Sequence, residues 1–423
     1  QFWPRKRHLR AAMDLSCLSV SWAGLLGAVG SLLQRRCAGK ARRRPEGPAG
    51  AALSFVGGPF LGQDKWLGGA LGSDGCIYGV PGCAEEVLKI DPRTGEAKTI
   101  GPRFRGRYKW LRGIPASDGC VYCIPSWAET VLKITPATGE VTCIGGPLPG
   151  EWKWHGAVVA GDGCIYGIPS NAESVLRIDP SSGDVTTIGG PLRGTHKWYG
   201  GLLGTDGCVY GIPQCADAVL RIDPRTQEVS TIGSLPSGGW KWHGGVAGSD
   251  GCLYGLPNHA DAVLKIVPAT GEVTTIGGPL AGGRNREGGK YEGKYKYLGG
   301  VLAEGAIYAM PGDADRVLRI ECNTGKVSTI GPSFEHLSRC FNKWQNGFLA
   351  RDGCIYGIPL KAEAVLKIEP RTGEVATVGG PLRGYNKWEG GVLAGDGAIY
   401  CMPMISKTVL KITPGPPPKG DAL

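Results

Sequence analysis

The sequence predicts an all-β fold: an eight-bladed β-propeller of four-stranded repeats of about 44 residues, its ring closed by an N-terminal strand in the last blade. Three observations carry that expectation. A Lys-aromatic pair recurs with its aromatic at Trp66, Trp110, Trp154, Trp198, Trp242, Tyr297, Trp344 and Trp388, spaced 44 residues four times and then 55, 47 and 44. Each repeat holds four short β-type runs separated by turn residues, which matches one propeller blade. The final repeat lacks its fourth run, while a spare fourth run precedes the first repeat.

Length alone, at 423 residues, would suggest two or three domains. The repeat overrides this, because the units of an array share one continuous structure. Three segments result: a basic and apolar leader over 1–50, the propeller over 51–414, and a Pro-rich tail over 415–423.

In the leader, Arg5-Lys6-Arg7 and Arg10 precede an uncharged apolar run from Leu15 to Leu33, and Ala28-Val29-Gly30 offers small residues suited to cleavage. That order points to a secretory signal. The nineteen uncharged residues also reach the length of a membrane anchor. Arg35, Arg36, Lys40 and Arg42-Arg43-Arg44 would flank such an anchor, or mark an organellar leader. A disordered leader, with Met13 as the start, is the plain alternative, and it would leave the protein in the cytoplasm. Membrane contact is expected only through residues 15–33. Of the net charge of +10, ten Lys/Arg against Asp14 and Glu46 place +8 in the leader, leaving +2 on the rest. A nucleic-acid footprint belongs on the folded domain, so a nucleic-acid partner is not expected.

In the third repeat the strands are expected over 154–160, 164–168, 174–179 and 184–189. Asp162-Gly163 supplies a tight first turn, Pro169 ends the second strand, and 180–183 form the third turn. Ser54-Phe55-Val56-Gly57-Gly58-Pro59 aligns with Thr186-Thr187-Ile188-Gly189-Gly190-Pro191, so residues 54–58 are expected to complete the last blade beside Val409–Thr413. Closing the ring removes exposed sheet edges.

The runs Asp-Gly-Cys-Ile-Tyr-Gly-Ile-Pro and Leu-Arg-Ile-Asp-Pro-x-x-Gly-x-Val resemble the blades of the NHL, YVTN and streptogramin-lyase-like propeller superfamily, over residues 53–414. The resemblance implies the blade and leaves the activity open, since one fold hosts many functions. Pro-x-Thr-Gly-Glu is also similar to quinoprotein propellers. Val-Thr-Thr-Ile follows it here where those carry a Trp, so a quinone is not implied and no cofactor is named.

The turns on one face, the bottom, are nearly uniform between repeats, and those on the opposite top face vary. After the Lys-aromatic pair the chain reads Leu67, Leu111, His155, Tyr199, His243, Leu298, Gln345 and Glu389, and the next position is Gly except at Arg112 and Asn346. Arg112, His155, Tyr199, His243, Gln345, Asn346 and Glu389 are therefore candidates for a polar ring about the axial channel. Imidazole and carboxylate suit a metal, so His155, His243 and Glu389 could hold one. The streptogramin-lyase resemblance favours that lyase or hydrolase reading, because such enzymes use central histidines and a metal. The plain alternative is solvated or inter-blade hydrogen-bonding residues.

The lysines Lys65, Lys109, Lys153, Lys197, Lys241, Lys296, Lys343 and Lys387 form a second ring. Pairing with Glu85, Glu129, Glu173, Asp217, Asp261, Asp315 and Glu363 is the plain expectation for them. Blade eight has Ser406-Lys407 instead of an acid, so an anion site would fall near Lys387 and Lys407. An eleven-residue insertion before Tyr297, carrying Arg284, Asn285, Arg286, Lys290 and Tyr291, is the expected partner-binding loop. Cys76, Cys120, Cys164, Cys208, Cys252 and Cys354 share one repeat position with Ala306 and Ala398, which marks a small buried site. No Ser-His-Asp arrangement, phosphate loop or nucleophile elbow is present. The reading that results is a non-catalytic scaffold engaging a protein partner or small ligand through its top face. A lectin-like propeller with one pocket per repeat is a further alternative.

Overall fold

The computed structural model describes residues 50–280, 282, 293–337 and 341–417. The leader, including 15–33, and Arg284, Asn285, Arg286, Lys290 and Tyr291 of the expected partner loop lie outside the described residues. No helix among the described residues is long and apolar enough to cross a membrane.

The bottom turns explain why the repeat keeps Asp-Gly-x-x-Tyr. Asp162 Oδ1 accepts a hydrogen bond from the Cys164 amide at 3.0 Å, and its Oδ2 accepts one from the Tyr166 hydroxyl at 2.7 Å. Asp74, Asp118, Asp206, Asp250, Asp352 and Asp396 repeat the backbone bond and the tyrosine bond. In seven blades one carboxylate thus ties the turn to a buried tyrosine, and Lys89 and Lys411 add to Asp74 and Asp396. The second strand is fully buried in every blade, as in Ile165–Pro169. Pro169 is the last residue of this strand and pairs with Trp154. It terminates the strand from inside, where the sequence placed it just beyond.

Eight four-stranded antiparallel sheets result, numbered here from the blade that starts at Trp66. Seven are built from consecutive strands. The eighth joins Ala52–Val56 to Val409–Thr413 and completes the ring. The closing strand lies two residues earlier than 54–58, with Phe55 opposite Leu410. Leu53 and Val56, on opposite faces of the strand, pack against the two hydrophobic clusters that flank the last blade, while Phe55 is 56% exposed and stacked on Trp388. Phe55 is therefore not a core residue.

Adjacent blades share hydrophobic clusters built from both. In one, Tyr122, Ile124 and Val131 of blade two pack on Trp154, Ile165 and Leu176 of blade three. The tryptophan of the Lys-aromatic pair also holds its own blade, since Trp154 Nε1 donates to the Ser174 carbonyl at 2.9 Å. Trp66, Trp110, Trp198, Trp242, Trp344 and Trp388 do the same twenty residues on. The six repeated cysteines are buried free thiols.

The lysine ring joins blades by another route. Lys153 is 3% exposed, and its ammonium donates to the carbonyls of Ser126, Ala128 and Gly150 at 2.9 Å. Ser126 and Ala128 belong to the preceding blade. Lys109 and Lys197 form the same three-carbonyl cradle, and Lys65 bonds Gly62 and Met404. Burial lowers Lys65, Lys153 and Lys197 to about 8. Carbonyl oxygens, instead of the recurrent acids, are the partners found; Lys296 adds Asp261 at 3.4 Å.

Candidate functional site at the channel mouth

Each inner strand slips register just after its aromatic, between Trp154 and Ala157 in blade three and at the matching place in the others. A bulge re-aims side chains, and here it forms two inner rings of residues. Its glycines, such as Gly156 (φ 82°) and Gly390 (φ 67°), need the left-handed region. They also crowd together: a Cβ on Gly390 would lie 3.2 Å from Gly68 Cα. Arg112 is the long side chain in this glycine ring. It reaches over blades one and eight, with Nη1 3.7 Å from where Cβ atoms on Gly68 and Gly390 would stand.

The bulge also brings His155, Tyr199 and His243 into one aromatic column. Ring centroids are 3.8 Å apart for His155 and Tyr199 and 3.9 Å for Tyr199 and His243. Burial, reinforced by the charge of Arg112, pulls His243 down to about 3 and His155 well below its ordinary value. Both are neutral imidazoles at pH 7. Burial pushes the Tyr199 hydroxyl up to about 12, although Arg112 favours its ionised form. Across the channel Gln345 Nε2 donates to Glu389 Oε1 at 3.4 Å, and burial raises Glu389 against the opposing charge of Arg112.

Six of the expected ring residues thus line one channel, with Arg112 acting on His155, Tyr199, His243 and Glu389 alike. Asn346 sits at the bulge of blade seven in the left-handed region (φ 59°), close against Gly299. The metal reading is corrected. Tyr199 lies between His155 and His243, Glu389 is paired with Gln345, and among the described residues no three His, Cys, Asp or Glu side chains gather about an ion. A guanidinium already supplies positive charge at this site. The expected anion site pairs one buried lysine with one exposed lysine. Lys387 is 3% exposed and donates to the carbonyls of Leu360 and Gly384, whereas Lys407 is exposed.

Sequence reasoning missed a third ring, formed by the residue before each lysine. Asp64, Tyr108, Trp152, His196, Trp240, Tyr295, Asn342 and Asn386 all adopt φ between 44° and 60°. Asp and Asn tolerate that region, and bulky side chains rarely enter it. Blades two to six nevertheless carry aromatics there. These residues touch around the mouth: the Tyr108 hydroxyl donates to Asp64 at 3.0 Å, Tyr108 and Trp152 rings are 5.0 Å apart, and His196 and Trp240 5.3 Å. Trp127 and His259 join from the neighbouring loops, packed edge-on to Tyr108 and Tyr295. Apart from Tyr108, which is buried, these aromatics are partly exposed. Aligning the repeats one position before the lysine would have revealed this collar.

The residue after the second-strand proline completes the mouth. It packs beside the ring residue of its own blade, since a Cβ on Gly82 would lie 2.7 Å from Leu67 Cδ1. Blades seven and eight place Leu360 and Met404 here, which cluster with Leu67, Leu111 and Tyr108. Blades two to five place buried Ser126, Ser170, Gln214 and Asn258. The mouth therefore has an apolar side and a polar, aromatic side.

A family model described as a repeat of unknown function matches residues 157–303. None of the curated proteins compared matches the chain. Among solved structures, streptogramin B lyase is 15% identical with a TM-score of 0.56, covering 86% of this chain and 98% of that one. A catalytically inactive variant of virginiamycin B lyase from Staphylococcus aureus with quinupristin is 16% identical, TM-score 0.53, covering 71% and 93%. The extracellular domain of a B. thetaiotaomicron protein assigned as a hybrid two-component system is 12% identical, TM-score 0.53, covering 74% of this chain and 42% of that one. At these identities the likeness is one of fold. The chain is a tandem-repeat β-propeller that resembles the streptogramin-lyase-like superfamily.

Proposed function

We propose that the protein is a non-catalytic binding propeller that engages its ligand or partner through the channel mouth on its top face. The aromatic collar carries this reading. Holding a bulky side chain in the left-handed region costs on the order of 1–3 kcal/mol per residue, and four of five consecutive blades do so, at Tyr108, Trp152, Trp240 and Tyr295, with His196 in the remaining one. An aromatic pair returns only about 0.5–1.5 kcal/mol beyond its area burial. Blades one, seven and eight place Asp64, Asn342 and Asn386 at the same backbone position, the residue types it favours. Backbone preference thus gives no reason for aromatics in the other five, and a surface that recognises something does. The two-sided mouth beneath, apolar at Leu360 and Met404 and polar at Gln214 and Asn258, fits the usual make-up of a ligand site.

The test is retention. Purified full-length chain is incubated with small-molecule, glycan and protein fractions, and what it keeps is measured by native mass spectrometry. Tyr199→Ala and Arg112→Met, at the mouth, are expected to lose the retained species, and Ser181→Ala, on a bottom turn, to keep it. Retention unaffected by the mouth variants but lost in Ser181→Ala overturns the reading.

A further inference from the structure

Resting on that binding role, we infer that the collar takes a saccharide chain, laid along the crescent of blades two to six from Tyr108 to Tyr295. The rings are confined to that arc, and Asn342, Asn386 and Asp64 replace them on the opposite side. A site of this form is one extended track, not one pocket per repeat.

The polar groups interleaved with the rings point to the ligand chemistry. Trp127 Nε1, His259 Nε2, Ser126 Oγ, Gln214 Nε2 and Asn258 Oδ1 are buried without a hydrogen-bond partner. Trp127 and His259 belong to the collar, and the other three lie on the loops that the buried lysines clamp. Buried orphan polar groups are few in folded proteins, and each needs an explanation. Here donors and acceptors of both kinds alternate with aromatic faces. A sugar ring matches that alternation, with C–H faces that stack on an aromatic and hydroxyls at its edge that both give and accept hydrogen bonds. The covered amides and hydroxyl meet these by a change of rotamer.

Charge argues against the other common guest of aromatic clusters, a quaternary ammonium. The ammonium groups of Lys109, Lys153, Lys197, Lys241 and Lys296 lie beneath the same arc, and Arg107 sits over the Tyr108 ring at 5.2 Å. Cations already fill the neighbourhood and would repel another.

The experiment titrates full-length protein with cellohexaose, chitohexaose, mannohexaose and hexagalacturonate, following tryptophan fluorescence and calorimetric heat. At least one oligosaccharide is expected to bind and shift the emission. The Trp152→Asn/Trp240→Asn double variant is expected to weaken it at least tenfold. Its melting temperature is expected to hold or rise, because Asn342 and Asn386 show that the backbone accepts Asn. Should the double variant fail to fold, Trp240→Leu removes the ring and keeps apolar bulk, and it must still weaken binding. Unchanged affinity in the folded variants overturns the inference, as does failure of all four oligosaccharides to bind. If none binds while Tyr199→Ala and Arg112→Met still lose a retained species, the saccharide assignment fails and the binding role stands.

Discussion

The His155 imidazole lies face to face with the Tyr199 phenol ring, centroids 3.8 Å apart, and Arg112 holds positive charge beside both. An imidazolium would be stranded there. With His243 at about 3 in the folded chain and near 6.5 when unfolded, the unfolded state binds the extra proton throughout that window. Stability therefore falls as pH falls from 6.5 towards 3, and His155 adds to the effect in the same direction. By pH 5 His243 alone should cost about 2 kcal/mol. Melting temperature measured between pH 7.5 and 5 should drop, and His243→Gln should flatten the profile. Glu389, raised by burial, acts in the opposite direction.

The lysine cradle makes a sharper claim about the ring. Lys153→Met keeps the aliphatic packing but leaves the carbonyls of Ser126, Ala128 and Gly150 without the ammonium. Each buried group left unpaired costs roughly 1–3 kcal/mol, moderated where water reaches it. Lys153→Met is expected to lose about 2–4 kcal/mol in denaturant unfolding, and exposed Lys407→Met to stay within about 0.5 kcal/mol. Equal effects at both sites would remove the cradle from the account of ring stability.

Much of the fold was legible, and the reason is arithmetic. A repeat that fixes Asp, Gly, Tyr and Pro at one spacing states each turn and strand, and the spare N-terminal run states the closure. What was misread lacks a letter in the sequence. The partners of Lys153 are carbonyl oxygens, which every residue carries, so the recurrent acids drew attention instead. The left-handed backbone of Trp152 and Trp240 is hidden because a tryptophan does not announce it. Asn342 and Asn386, at the same place, do. His155 and His243 were found, but spacing alone does not tell that Tyr199 stands between them.

Closure gives the third prediction. Leu53 packs so closely on blade seven that a Cβ on Gly379 would collide with its side chain, and Val56 joins the cluster with Val409 and Trp66. Deleting residues 51–59 uncovers Leu410 and Ile412, at about 1.5–3 kcal/mol for each large side chain exposed. The deletion should lower the melting temperature and promote aggregation by size-exclusion chromatography, and deletion of 1–45 should do neither. Unchanged melting without residues 51–59 would show that the ring does not depend on its clasp.

Asp313 supplies the last prediction, because the chain contains its own control. Its Oδ1 accepts the Asn342 amide at 2.6 Å, and Asn171 Oδ1 accepts the His196 amide at 2.8 Å in the matching place of blade three. A neutral amide thus does the work of the carboxylate. Burial raises Asp313 from 3.8 to about 6, against the opposing pull of the Asn342 amide, Lys343 and Lys361. The folded state therefore holds a proton that the unfolded state releases between those values, and this contribution is present at low pH and lost as pH rises through 6. Asp313→Asn keeps the acceptor and removes the charge. It should stabilise the protein by up to about 3 kcal/mol at pH 7.5, with the gain shrinking to nothing below about pH 4. Chemical denaturation at the two pH values measures it. A variant less stable than the parent at pH 7.5 would mean that Lys343 and Lys361 compensate the buried carboxylate more fully than its burial costs.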